Sequence, residues 1–548
     1  MNTSIYSKWH HPYNYAKGFE KKAAYFSMEF GIHQALKIYS GGLGFLAGSH
    51  MRSAFELKQN MIGIGMLWKY GYYDQNRNQD QTLRTDFVEK TYSYLEDTGI
   101  EVTVQVHENP NVKVRVYVLK PEIFGTVPLY LLSTDLESND FLSRTITNHL
   151  YDANETTRVS QSIVLGVGGA KVIEALGGAD TYHLNEGHAL PAFFYLRDQG
   201  VPKAQFTFTT HTPEEAGNEV RDARHLNRCG FFGRTLDENE LTKEMTDEGA
   251  VNYTLSALRM ANKSNAVSKL HSKVANKMWK GFEGVPKIMP ITNAQNQNFW
   301  QDEEIKNAWE KKDAKVYGKR KEVLKKELFE VVVNQRKKIF DPKVITIVWA
   351  RRFAGYKRPD IMFIELERFE KLLSNSKYPV QIIWAGKPYP LDYYAINTFN
   401  HLVKYSLGFK NLAVLTGYEL DLSRQLKYGS DVWLNTPRVT REASGTSGMT
   451  AAFNGSINLS TNDGWIPEFE KNGENSFVLP ELDSKLPVWE EDEQDCANLF
   501  DMLENKVLPT YYDHPEKWQE MVWKGMDDTI PAFTSHRMAT DYYKKLYS

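Results

Sequence analysis

Glu442 precedes a run of small residues, Ser444-Gly445-Thr446-Ser447-Gly448, that opens onto Met449-Thr450-Ala451-Ala452-Phe453, a helix start by composition. Upstream, the stretch 430–437 reads as a buried strand closed by Pro437. Glycine in such a loop lets backbone N–H groups approach a ligand, and a helix N-terminus favours an anion or a hydroxyl-rich molecule. An ordinary strand–turn–helix has the same outline, so the loop gains meaning from its company. Arg351, Arg352, Lys357 and Arg358 follow the continuous apolar run 343–350. Open α/β sheets carry ligands at the carboxyl ends of such strands, and guanidinium forks match phosphate oxygens, so this cluster predicts an anion site. Lys387 reads as another anion ligand. The glycine-rich loop at Gly41, Gly42 and Gly44 is a phosphate or sugar cradle if a strand precedes it and a helix follows. His183, Glu186 and His188 lie close together, with His211 further on. Their spacing is not that of a helical zinc site, and no metal is expected.

Positioning these groups calls for a sheet in each half of the chain. Apolar runs at 23–30, 61–68, 127–132, 207–212 and 288–293 predict strands in the first half; 343–350, 380–385, 411–417, 430–437 and 457–460 predict them in the second. The runs 101–106 and 112–118 alternate with period two and read as a hairpin turning at 109–111. Helices are expected at 160–176, at 260–280 and across the lysine- and glutamate-rich 311–338, near a domain boundary close to Gln295. Strand–helix alternation in both halves implies doubly wound α/β sheets, and 548 residues suit two large domains. A hydrophobic content of 41% and a charged content of 25% are ordinary for a globular protein. The net charge of −3 argues against nucleic acid or an acidic membrane as partner. Two cysteines, Cys229 and Cys496, suit a reducing cytoplasm rather than a disulfide framework. Residues 1–17 lack the apolar core of a leader, and no run approaches the ~18 residues that span a bilayer, so a cytoplasmic location is expected.

In order along the chain, these motifs resemble those of the bacterial α-glucan (glycogen, starch, maltodextrin) phosphorylases. The resemblance rests on Tyr39-Ser40-Gly41-Gly42-Leu43-Gly44, His183-Leu184-Asn185-Glu186-Gly187-His188-Ala189, Thr209-Thr210-His211-Thr212-Pro213, the run 351–358, Ile383-Trp384-Ala385-Gly386-Lys387 and the run 442–449. It implies the GT-B fold, with two Rossmann-like doubly wound domains facing a cleft. The N-terminal domain would cover 1–294 on the glucan side and the C-terminal domain 295–525 on the phosphate and cofactor side, with a helix over 526–548 returning to the first domain. It implies phosphorolysis of an α-1,4-glucan by orthophosphate, with retention, to α-glucose 1-phosphate, helped by the 5′-phosphate of pyridoxal phosphate. Carried over by position, His211, Arg352 and Lys357 are catalytic. Gly41, Gly42, Asn293, Tyr356, Glu442, Ser444 and Gly445 bind substrate, and Arg351, Tyr418, Thr446 and Thr450 mark the cofactor site. Family members are often dimers, which leaves a homodimer open.

Two departures stand out. Asn293-Ala294-Gln295-Asn296 replaces the family's Asn-Gly-Val-His. Thr450 stands where the family has the lysine that forms a Schiff base with pyridoxal phosphate, and a threonine has no amine to do so. Three readings follow: the cofactor binds without a covalent link, another anion serves a related retaining glucosyl transfer, or the chain is a catalytically silent glucan-binding protein.

Overall fold

Runs of valine, isoleucine and leucine flanked by glycine and polar residues fold here as parallel strands buried on both faces. The structure, a computed structural model, describes residues 4–107 and 109–548; residues 1–3, where the stretch read for a leader begins, and residue 108 lie outside it. The chain divides into two units, one holding Phe87–Asn293, Ser535–Ser548 and the described part of Met1–Tyr73, the other Asp74–Asp86 and Ala294–Thr534.

In the first unit the strands lie side by side in the order Ile288–Pro290, Lys263–Ala266, Phe206–Thr210, Thr181–Asn185, Ala23–Phe26, Met61–Met66, Leu129–Ser133, Asn109–Leu119, Glu96–Val106. All pairs are parallel up to Leu129–Ser133; the last two strands add an antiparallel hairpin at the edge. That hairpin turns at His107, which has φ +54, rather than at 109–111, because pairing starts at Asn109. The helix expected over 260–280 is instead the strand Lys263–Ala266 and the helix Lys269–Met278. Pairing on both sides buries Ser264 and Asn265 in a strand whose polar residues hide it from a hydrophobicity pattern.

The second unit has six parallel strands in the order Leu412–Leu415, Val380–Ala385, Ile345–Ala350, Val432–Asn435, Ile457–Ser460, Ser476–Val478. In chain order this is 3-2-1-4-5-6, a doubly wound sheet whose order reverses between Ile345–Ala350 and Val432–Asn435. Its core includes Val348, Ile383, Leu415 and Trp433, joined by Leu328 and Phe329 of the helix Ala314–Arg336. A second cluster packs Met449, Trp465, Phe469 and Phe533.

Two segments sit apart from the expected division. Residues 74–86 belong with the second unit, where Gln75 Nε2 donates to Gly386 O at 2.7 Å and its Oε1 accepts from Gly417 N at 2.9 Å. The C-terminal return begins at Ser535 rather than 526, because Phe533 is held in the second unit's core while Tyr542, Tyr543 and Tyr547 are buried in the first. Among the described residues no helix is long and apolar enough to cross a membrane.

Candidate active site

The loops leaving Ile345–Ala350 and Val432–Asn435 start side by side where the strand order reverses, the place at which open α/β sheets hold ligands. Lys357 from the first loop and Glu442 from the second form an ion pair, their side chains only 11% and 10% exposed. Lys357 Nζ also lies 4.9 Å from the centre of the Tyr356 ring. Arg351 is buried and donates from one terminal nitrogen to Leu434 O at 2.6 Å, while its Nε has no partner among the described residues. Burial brings its pKa down to about 10, with the Glu442 charge opposing that fall. Arg352 is exposed beside it.

A further loop fixes the second strand's exit. Asp463 accepts from Glu442 N at 2.8 Å and from Gly464 N. Burial pushes the Asp463 carboxyl up to about 7, opposed by those backbone donors. Gly464 has φ +62, and a Cβ there would stand 2.3 Å from the Ser444 carbonyl oxygen, so this close crossing requires glycine. Ser444 Oγ is buried without a partner among the described residues. Gly445, with φ +85, leads into the helix Thr446–Ala452. Thr446 Oγ1 accepts from Gln295 Nε2 at 3.0 Å, and Tyr418 Oη donates to Ala350 O at 3.2 Å. Thr450 is buried, and its hydroxyl turns back onto its own helix, donating to Ser447 O at 3.0 Å.

Two cations read as anion ligands are engaged elsewhere. Arg358 is buried against Asp495 at 2.6 Å and Asp492 at 3.1 Å and also donates to the carbonyls of Thr436 and Pro437, so it ties the loop down. Lys387 pairs with Glu419 at 2.9 Å. A sequence shows the charge but not its partner.

In the first unit, side chains gather at the carboxyl ends of adjacent parallel strands. His211 Nε2 meets Asn185 Oδ1 at 2.7 Å, and Asn185 Nδ2 donates to Ser27 Oγ. Burial holds His211 neutral, its pKa brought down to about 3. Glu186 accepts from His211 N and Thr212 Oγ1, and burial raises its pKa. The expected cradle at Gly41 and Gly42 is partly filled from within. Glu29 accepts from Ser40 N at 2.6 Å, Gly41 N at 3.1 Å and Tyr151 Oη at 2.7 Å, so the first amides of the loop already hold a carboxylate. Sequence reasoning missed Glu29 and Tyr151, because neither stands in the glycine motif. Asn293 Oδ1 is buried with no partner among the described residues. Both ring nitrogens of His183 are engaged, by Tyr547 and Thr209.

Residues 290–480 match the family model for carbohydrate phosphorylases. The chain is 34% identical to the maltodextrin phosphorylase of Thermococcus litoralis, over 98% of this chain and 71% of that protein. The chain belongs to the carbohydrate phosphorylase family. A glycogen phosphorylase of Mycobacterium tuberculosis matches at 30% identity, over 96% of this chain and 70% of its own length. An uncharacterized protein of Methanocaldococcus jannaschii matches at 43%, over 96% of this chain and all of its own. Phosphorylases normally use pyridoxal phosphate. The second unit of this chain suits the cofactor's phosphate, since Arg351 Nε and Ser444 Oγ are buried donors with no partner among the described residues. At the aldehyde end position 450 offers only a hydroxyl.

Proposed function

We propose that this protein removes a glucosyl unit from the non-reducing end of an α-1,4-glucan and transfers it to orthophosphate with retention, giving α-glucose 1-phosphate. We assign its units to the GT-B class. The observation that carries the reading is the Lys357–Glu442 pair at the reversal of strand order. Without ligand the two charges neutralise each other. With ligand the pair separates, Lys357 and Arg352 taking the attacking phosphate and Glu442 accepting from donor-sugar hydroxyls. Electrostatic stabilisation of the phosphate is the largest contribution asked of the site. Ser444, Gly445 and Tyr356 line the same ligand; in the first unit, taken by itself, Asn293 Oδ1 offers an acceptor for a sugar hydroxyl. In the same unit, neutral His211 offers a hydrogen bond to a glucosyl hydroxyl without adding a positive charge there. Arg351, Tyr418 and Thr446 hold the cofactor. Pyridoxal phosphate, when bound, supplies a phosphate that exchanges a proton with the substrate phosphate.

Thr450 favours a second reading, retaining glucosyl transfer from a nucleotide-sugar or sugar-phosphate donor without the cofactor. One assay separates the two. Phosphorolysis gives glucose 1-phosphate from maltodextrin and orthophosphate, stimulated by pyridoxal phosphate; the second reading gives none.

A further inference from the structure

Buried cations of the second unit, such as Arg358 on Asp495 and Lys325 on Asp431, face a carboxylate. Arg77 and Arg336 of the same unit do not. Arg77 ends the first strand of the antiparallel hairpin Asp74–Arg77 and Leu83–Asp86, and Arg336 is the last residue of the helix Ala314–Arg336. Gln81, in the hairpin turn with φ +72, brings the two together. Its backbone oxygen accepts from Arg77 Nη1 at 3.2 Å, and its Oε1 accepts from Arg336 Nη1 at 2.9 Å. Arg77 Nη2 donates to Val414 O. All these acceptors are neutral, and the Nε of each arginine is buried with no partner among the described residues. Arg336 is only 8% exposed. Burial, and after it the Arg336 charge, bring the Arg77 pKa down to about 9, with no carboxylate opposing the fall. The carboxyl end of a helix stabilises one cation such as Arg336, but a second guanidinium beside it remains without a counter-charge.

We propose that Arg77 and Arg336 form a binding site for a phosphate-class oxyanion, separate from the cations of the candidate active site. Guanidinium forks match the oxygens of such an anion, and a dianion neutralises both charges at once. Arg77 is half-buried, which leaves a way in. Val414 lies on the edge strand Leu412–Leu415, in register with Trp384 on the next strand and Trp349 on the one after. Two strand spacings, about 10 Å, therefore part the strand that Arg77 holds from the strand whose exit carries Arg352 and Lys357. The sequence neighbours of both arginines hold one loop. Gln75 Oε1 accepts from Gly417 N at 2.9 Å, and Gln335 donates to Thr416 O at 3.0 Å and accepts from Thr416 N at 2.9 Å. An anion bridging Arg77 and Arg336 ties together the two segments that fix residues 416 and 417. The occupant is free orthophosphate or the phosphoryl group of a larger ligand.

The test titrates orthophosphate, and separately glycerol 2-phosphate, into the full-length protein by calorimetry, with chloride holding the ionic strength constant. Arg352→Ala serves as the background in which the phosphate site proposed for phosphorolysis is weakened. Orthophosphate binding should persist in that background and weaken at least about tenfold when Arg336→Gln or Arg77→Gln is added. If those variants do not fold, Arg336→Lys keeps a cation at the helix end without the fork, and should weaken binding in the same way. Binding of glycerol 2-phosphate as well points to the phosphoryl group of a larger ligand, and binding of orthophosphate alone to the free anion; either upholds the site. Affinity unchanged by the substitutions at 77 and 336 overturns the proposal, as does loss of all phosphate binding in Arg352→Ala alone. Equal binding of phosphate in wild type and Arg352→Ala, abolished by Arg336→Gln, upholds the proposal while removing Arg352 from the phosphorolysis site.

Discussion

Lys357 and Glu442 both give up hydration to stand together, and a pair at that depth is stable only while both members remain. Glu442→Ala therefore has two effects. It should lower glucose 1-phosphate formation at least about tenfold, since charged hydrogen bonds to sugar hydroxyls contribute about 1.5–3 kcal/mol each. It should also cost stability, up to about 3–5 kcal/mol, by leaving Lys357 unpaired. Glu442→Gln separates the effects, keeping most of the stability and losing the activity; near-native turnover in both variants would remove Glu442 from the site. Arg352→Ala should weaken phosphate binding about tenfold or more while sparing glucan affinity, and unchanged phosphate affinity by calorimetry would make Arg352 a solvated surface group. Asp463 predicts a pH dependence. Its folded pKa, about 7, lies above its ordinary value of 3.8, so between those values the folded state holds a proton that the unfolded state has lost. This group's contribution to stability thus falls as pH rises from about 4 to 7, by up to about 1.4 kcal/mol per unit, and stays lost above. Denaturant titrations should show Asp463→Asn flattening that slope; an unchanged slope would show that Asp463 is ionised when folded.

At the scale of elements, the crossing of loop 462–464 under loop 442–445 sets where Glu442 stands. Gly464→Ala puts a Cβ against Ser444 O at a positive φ, and should cost about 1–3 kcal/mol and lower turnover by shifting Glu442. Wild-type melting temperature and activity in that variant would show that the crossing is loose. Much of this scaffold was legible in the sequence. The strands at 345–350, 380–385 and 432–435 are continuous apolar runs, because helices cover both faces of a parallel sheet. Lys263–Ala266 escaped, since its burial comes from neighbours distant in sequence. The site was legible in residue types and not in partners. Glu29 comes from outside the glycine motif, and Asp495 on Arg358 and Glu419 on Lys387 come from later segments of the chain.

At the scale of the molecule, each unit places its candidate residues at the carboxyl ends of strands in its own sheet, and the chain's last residues complete the first unit rather than the second. Deleting 535–548 removes Tyr542, Tyr543 and Tyr547 from the first unit's interior. Losing one large buried aromatic costs about 3–5 kcal/mol, against a typical total of about 5–15 kcal/mol, so the shortened protein should lose cooperative unfolding of that unit in calorimetry. An unchanged melting profile would show that those tyrosines add little. Phosphorolysis is assigned to the Arg352, Lys357 and Glu442 group. Its most direct measurement is glucose 1-phosphate released from maltodextrin and orthophosphate, with and without prior incubation with pyridoxal phosphate. The α anomer should form only when orthophosphate is present, faster after incubation with the cofactor, and at least about tenfold more slowly in Arg352→Ala. Wild-type release no greater than that of Arg352→Ala, whatever the cofactor concentration, would contradict the account.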